Sequence, residues 1–275
     1  PALAEVLEAR RRAWEQAPAA APAEEFAAMR RAALDEDRLT LALRLERVMA
    51  ERGDRKREPV EFSGEEIRAA SPATLVWMAA LLSGPDPERA SALYRTVIED
   101  HPESAAAVEA LYRRGKDRLG EGAPLRALED FRKILSEFAE NRWTVPATFG
   151  LADAQFAAGR YDEAIETLSG VLERREWRGE PWARATYGIG RAFFEKGELE
   201  KAQGFFERTY LAYGRFEPWS GRAYRESGRV LERLGETESA RRTYEAFLDL
   251  PEAESSPVFG EIRERLADLE TGGAS

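Results

Sequence analysis

The string GRYDEAI at residues 159–165 returns in altered form as GELEKAQ at 197–203 and as GETESAR at 235–241. A glycine followed five residues later by an alanine, at a near-constant interval, restricts the chain to folds assembled from copies of one small unit. The alanines fall at Ala127, Ala164, Ala202 and Ala240, at intervals of 37, 38 and 38 residues, and Ala90 lies 37 residues before the first. The glycines are Gly122, Gly159, Gly197 and Gly235. Seven residues before each stands a small residue: Gly115, Ala152, Gly190 and Gly228. Four residues after each alanine stands a large apolar one: Tyr94, Phe131, Leu168, Phe206 and Tyr244.

Such columns describe an antiparallel helix pair. The small residue of the first helix marks where the second approaches closely. The glycine takes the left-handed conformation that ends a helix without a Cβ clash. The alanine of the second helix again allows close packing, and the large side chain one turn later fills the space beside it. One pair cannot bury its apolar face alone, so successive pairs must stack into a solenoid. No segment shows the sustained two-residue alternation of a half-buried strand, so the fold class expected is all-α.

The columns resemble those of the tetratricopeptide repeat family, over residues 71–250. The resemblance implies a right-handed α-solenoid of about five repeats. The interval exceeds the family's period of about 34 residues, and the surplus falls between units, in AENRWTVP, REWRGEPW and GRFEPW. The domains expected are a divergent N-terminal helical cap at 1–58, with helices at 2–16, 24–34 and 36–52, then the repeats at 59–255. A capping helix and tail follow at 256–275. The helical pairs are similar to those of bacterial envelope proteins of this family, which favours a periplasmic location over the cytoplasm. The chain starts at Pro1 rather than Met and reads as a trimmed or mature fragment.

Composition narrows the function. The 275 residues carry 41 Lys and Arg against 51 Asp and Glu, a net charge of −10, which argues against a general nucleic-acid partner. The absence of cysteine removes disulfides, thiolate zinc sites and cysteine nucleophiles. No run of about 18 apolar residues is present to span a membrane. His101, the single histidine, precedes Pro102 between units, where a turn role fits better than catalysis, and no second histidine could complete a metal site. GIGRAF at 188–193 echoes a dinucleotide loop but follows no strand, so no cofactor is expected.

The resemblance also implies an inward-facing set of residues. First helices of the family line the concave surface, and its inward columns fall on Arg184, Tyr187 and Arg191 in one unit and Arg222, Arg225 and Arg229 in the next. Each set runs i, i+3, i+7 and so shares one helix face. Earlier units contribute Phe149 and Asp153, then Tyr112 and Lys116. A basic, partly aromatic stripe through an acidic chain fits a protein or peptide partner of acidic character. Arginines paired with neighbouring carboxylates would give the same stripe without a partner. Family members that clamp a terminal carboxylate use lysine and asparagine here, and these columns hold no asparagine.

Trp143, Trp182 and Trp219 recur near the start of first helices, beside Pro146, Pro181 and Pro218. They read either as staples across repeat junctions or as an aromatic docking edge. The function expected is a non-catalytic interaction scaffold. The alternatives are an all-α enzyme using groove carboxylates and a structural subunit of an envelope complex.

Overall fold

The glycine stamp ends helices as its spacing requires. Gly122, Gly159, Gly197 and Gly235 have φ of 73°, 70°, 77° and 77°. At each, two backbone bonds close the helix end in the same pattern. Gly159 N–H donates to Phe156 O at 2.9 Å and Arg160 N–H to Gln155 O at 2.8 Å. Gly197 and Glu198 repeat this on Phe194 and Phe193, and Gly235 and Glu236 on Glu232 and Leu231.

The computed structural model describes residues 64–272, and no β-strand occurs among them. The helices expected at 2–16, 24–34 and 36–52 lie outside the described residues. Those described are α1 Gly64–Ala69, α2 Pro72–Leu82, α3 Pro87–Asp100, α4 Ala105–Gly120, α5 Pro124–Glu137 and α6 Thr144–Ala157. They continue with α7 Tyr161–Glu173, α8 Glu180–Glu195, α9 Leu199–Tyr213, α10 Trp219–Leu234, α11 Thr237–Leu248 and α12 Phe259–Gly272. The chain divides into two compact units between Asp117 and Arg118, inside α4.

In the first unit α2 packs on α3. Ser71 caps α2 by accepting Thr74 N–H at 3.2 Å, and Asp86 caps α3 by accepting Arg89 N–H at 3.1 Å. In each case proline occupies the first turn, where no backbone donor is needed. His101 ends α3 with its N–H on Val97 O, a turn role as its position suggests.

In the second unit each helix packs on the next, from α5 to α12, and α8 also touches α10. Antiparallel pairs stacked in this way make the second unit an α-solenoid. Ala127, Ala164, Ala202 and Ala240 are fully buried, as are Phe131, Phe206 and Tyr244. The small and large columns meet. A Cβ on Gly190 would come within 2.8 Å of the Phe206 ring, and one on Gly188 within 2.6 Å of Leu168. The GIGRAF glycines are therefore packing positions inside α8. The surplus residues between units form the connections before α6, α8 and α10, with a short 3-10 turn at Arg175–Trp177. α12 and the residue before it pack on the last pair: Val258 and Ile262 share a buried cluster with Leu231, Tyr244 and Phe247.

Candidate functional site

The first helices α6, α8 and α10 present their inward columns to one cavity of about 580 Å³. Phe149, Asp153, Arg184, Tyr187, Arg191, Arg222, Arg225 and Arg229 all line it. A volume in this range suits a small ligand or a few residues of a peptide. Tyr112 and Lys116 lie on α4 in the first unit, Tyr112 half-buried and Lys116 exposed, and neither lines this cavity.

The five arginines differ in their partners. Arg184 Nη2 donates to Asp153 Oδ2 at 3.0 Å, tying α8 to α6, while its guanidinium lies 4.1 Å from the centre of the Phe149 ring. Arg225 donates through Nε and Nη2 to Glu226 Oε1, and through Nη1 to Glu261 Oε2 at 2.9 Å. Arg229 Nη1 donates to the other Glu226 oxygen at 2.9 Å. Glu226 is only 6% exposed, and the two guanidiniums offset the cost of burying its carboxylate. Burial is the largest influence on the Arg225 guanidinium and opposes its charge, but Glu226 and Glu261 more than offset it and hold its pKa above the ordinary value.

Arg191 and Arg222 are bound differently. Arg191 lies 4.9 Å from the centre of the Phe156 ring and Arg222 lies 5.2 Å from that of Trp219. Neither makes an ion pair among the described residues. Tyr187, 5% exposed, packs between Phe206 and Trp219 with ring centres 5.8 and 5.9 Å away. Burial pushes its phenol pKa up and the Glu226 carboxylate adds to this, against the pull of Arg191, Arg225 and Arg222.

Trp182 and Trp219 act as staples at the repeat junctions. Trp182 Nε1 donates to Arg174 O at 3.0 Å, reaching back to the end of α7. Trp219 Nε1 donates to Glu180 Oε1 at 3.2 Å at the start of the preceding first helix. Trp219 also forms part of the cavity wall, so the aromatic positions and the basic stripe share that side chain. Trp143 stands at the N-cap of α6.

Glu226 is the residue that the inward columns do not reveal. Its signal is an acid three residues before Arg229 and next to Arg225, a spacing that lets both guanidiniums reach one carboxylate. Among the described residues no cluster of His, Asp and Glu could hold a metal ion, and no helix is long and apolar enough to cross a membrane.

Two tetratricopeptide repeat profiles match the chain, one over residues 143–213 and the other over 187–257. A crystal structure of MamA protein is 23% identical over 63% of this chain and 88% of that one, with a TM-score of 0.51. A MamA fragment from Desulfovibrio magneticus RS-1 is 19% identical over 67% of this chain and 97% of that one, with a TM-score of 0.53. A putative kinesin light chain from Podosopora anserina with nearly identical repeats is 16% identical over 63% of this chain and 91% of that one, at 0.50. These likenesses show a shared helical-repeat fold. No curated protein matches the chain in sequence.

Proposed function

This chain belongs to the tetratricopeptide repeat family, and we propose that it is a non-catalytic protein-interaction scaffold whose second unit receives an acidic peptide segment in the arginine-lined cavity. The observation that carries this reading is the pair Arg191 and Arg222, two guanidiniums in one cavity without a carboxylate partner. Guanidinium forks match carboxylate oxygens in pairs, and the ring beneath each fixes its orientation before a ligand arrives. The cavity walls are the aromatic faces of Phe149, Phe156, Phe194 and Trp219, which offer apolar contact between the charges.

The carboxylates of the cavity fit a scaffold better than an enzyme. Asp153 and Glu226 are both held by arginines, which leaves Glu195, exposed near the end of α8, as the single lining carboxylate without an ion pair among the described residues, so the cavity holds no pair of free carboxylates.

The test is fluorescence anisotropy of a labelled glutamate-rich 12-residue peptide with the full chain at two salt concentrations. Wild-type affinity should fall as salt rises, because steering by surface charge is screened. Arg191→Glu with Arg222→Glu should weaken binding by more than about 2 kcal/mol with melting little changed. Reversal of two exposed arginines outside the cavity lining, Arg208 and Arg215, changes net charge equally and should matter much less. Equal losses in the two double variants would mean that the peptide reads net charge and not this cavity.

A further inference from the structure

The five arginines of the cavity are not interchangeable, and this restricts what the ligand must look like. Arg184 is held by Asp153, and Arg225 and Arg229 share Glu226. Drawing either of the last two away would leave a buried carboxylate under-compensated. Arg191 and Arg222 carry no such cost.

These two also stand apart. Phe156, which carries Arg191, is the next-to-last residue of α6, whereas Trp219, which carries Arg222, is the first residue of α10. The 38-residue interval sets Arg222 equivalent to Arg184 and Arg229 equivalent to Arg191. Arg191 therefore lies seven residues, about 10 Å, further along the first-helix direction than the level of Arg222. A single carboxylate or phosphate does not bridge that span. Two carboxylates do so when separated by about three or four residues of extended chain, at about 3.3 Å per residue.

The centre of the cavity has a different character. The Tyr187 side chain is nearly buried, yet its hydroxyl makes no hydrogen bond to the protein among the described residues. The hydroxyl is not sealed from solvent, so a ligand group can take the place of water on it. Glu226 also lies in this region and already occupies Arg225 and Arg229, so the centre offers no free guanidinium to a third carboxylate.

Resting on the reading that the cavity takes an acidic segment, we propose that it recognises two carboxylates spaced along an extended chain. Arg222 receives one, Arg191 receives the other, and the Tyr187 hydroxyl bonds the peptide backbone between them. The segment is neutral at its middle. The arginines held by Asp153 and Glu226 shape the cavity and do not bind the ligand directly.

The experiment uses the full chain and synthetic peptides of equal net charge, each with two glutamates in a neutral Gly/Ser/Gln background. The glutamates are adjacent in one peptide, three apart in the second and four apart in the third. A further peptide has a third glutamate at the centre. The spaced pairs should bind about 10-fold more tightly than the adjacent pair, the worth of one additional charge-assisted contact. The central glutamate should add nothing or weaken binding. Arg191→Gln and Arg222→Gln should each remove the spacing preference, whereas Tyr187→Phe should weaken every peptide by a few-fold and keep it. Melting temperature confirms that each variant is folded. Binding that ignores spacing, or a preference that survives both arginine substitutions, overturns the two-point recognition while leaving an acidic-segment site in place. No binding by any of these peptides, nor by the glutamate-rich peptide, overturns both readings together.

Discussion

Gly228 of α10 lies against the ring of Tyr244 of α11 so closely that a Cβ at position 228 would come within 2.1 Å of the ring's Cε1. The ring has no easy retreat. Tyr244 is fully buried, and its hydroxyl donates to Glu232, which also pairs with Arg265 at 3.0 Å. Gly228→Ala should therefore destabilise the protein by about 1–3 kcal/mol, the usual result of overpacking. Gly204→Ala, on the exposed side of α9 with nothing within 4 Å, should instead stabilise by about 0.5–1 kcal/mol, because helix propensity alone acts there. Urea denaturation of the two variants should show opposite signs. Equal effects would mean that the small and large columns do not meet as described.

That contact was legible in the sequence because both of its residues belong to columns repeated at a fixed interval. Gly190 with Phe206 repeats it one unit earlier. The inward set on α8 and α10 was legible for a similar reason, since i, i+3, i+7 spacing fixes a helix face. Pairing was legible only within one helix, in the spacing of Glu226 to Arg225 and Arg229. Otherwise, whether an arginine meets a carboxylate depends on side chains from other helices, as with Asp153 on α6 for Arg184 and Glu261 on α12 for Arg225. Sequence does not separate Arg184 from Arg191 and Arg222; the packed helices do, by bringing Asp153 to the first and no carboxylate to the other two.

Alkaline pH should unfold the protein earlier than its charge alone suggests. Burial pushes the Tyr210 phenol up to about 12, with the Ser227 hydroxyl opposing it, and burial also raises Tyr224, which is stacked on Tyr210 at 3.9 Å between ring centres. Desolvation raises Tyr94, Tyr187 and Tyr244 as well. Between the unfolded value of about 10 and the folded value, the folded chain holds protons that the unfolded chain has lost, so stability falls as pH rises. Below that window the effect is fully present and flat. Melting curves collected from about pH 8 to 11 should stay level and then drop, and Tyr210→Phe should make the drop shallower. A steady decline from neutral pH that is indifferent to Tyr210→Phe would contradict this.

Removing the chain from Pro257 onward should expose the faces of Leu231, Tyr244 and Phe247 that Val258 and Ile262 cover. Each of those two side chains contributes about 1.5–3 kcal/mol on burial, so the truncated chain should lose at least about 2 kcal/mol and aggregate on mild warming. Arg225 and Glu232 would also lose partners on α12. Scattering and melting of the truncated and full chains provide the comparison, and identical curves would remove α12 from the list of structural supports.

The most direct test of the central claim is side-chain NMR of the full chain, observing the arginine Nε–H groups while a glutamate-rich peptide is added. Arg191 and Arg222 should shift first and saturate together, because their guanidiniums exchange water for carboxylate. Arg184, Arg225 and Arg229 should move less, since Asp153 and Glu226 already hold them. Largest shifts at residues outside the cavity lining such as Arg208 and Arg215, with Arg191 and Arg222 unmoved, would contradict the assignment of the cavity as the binding site.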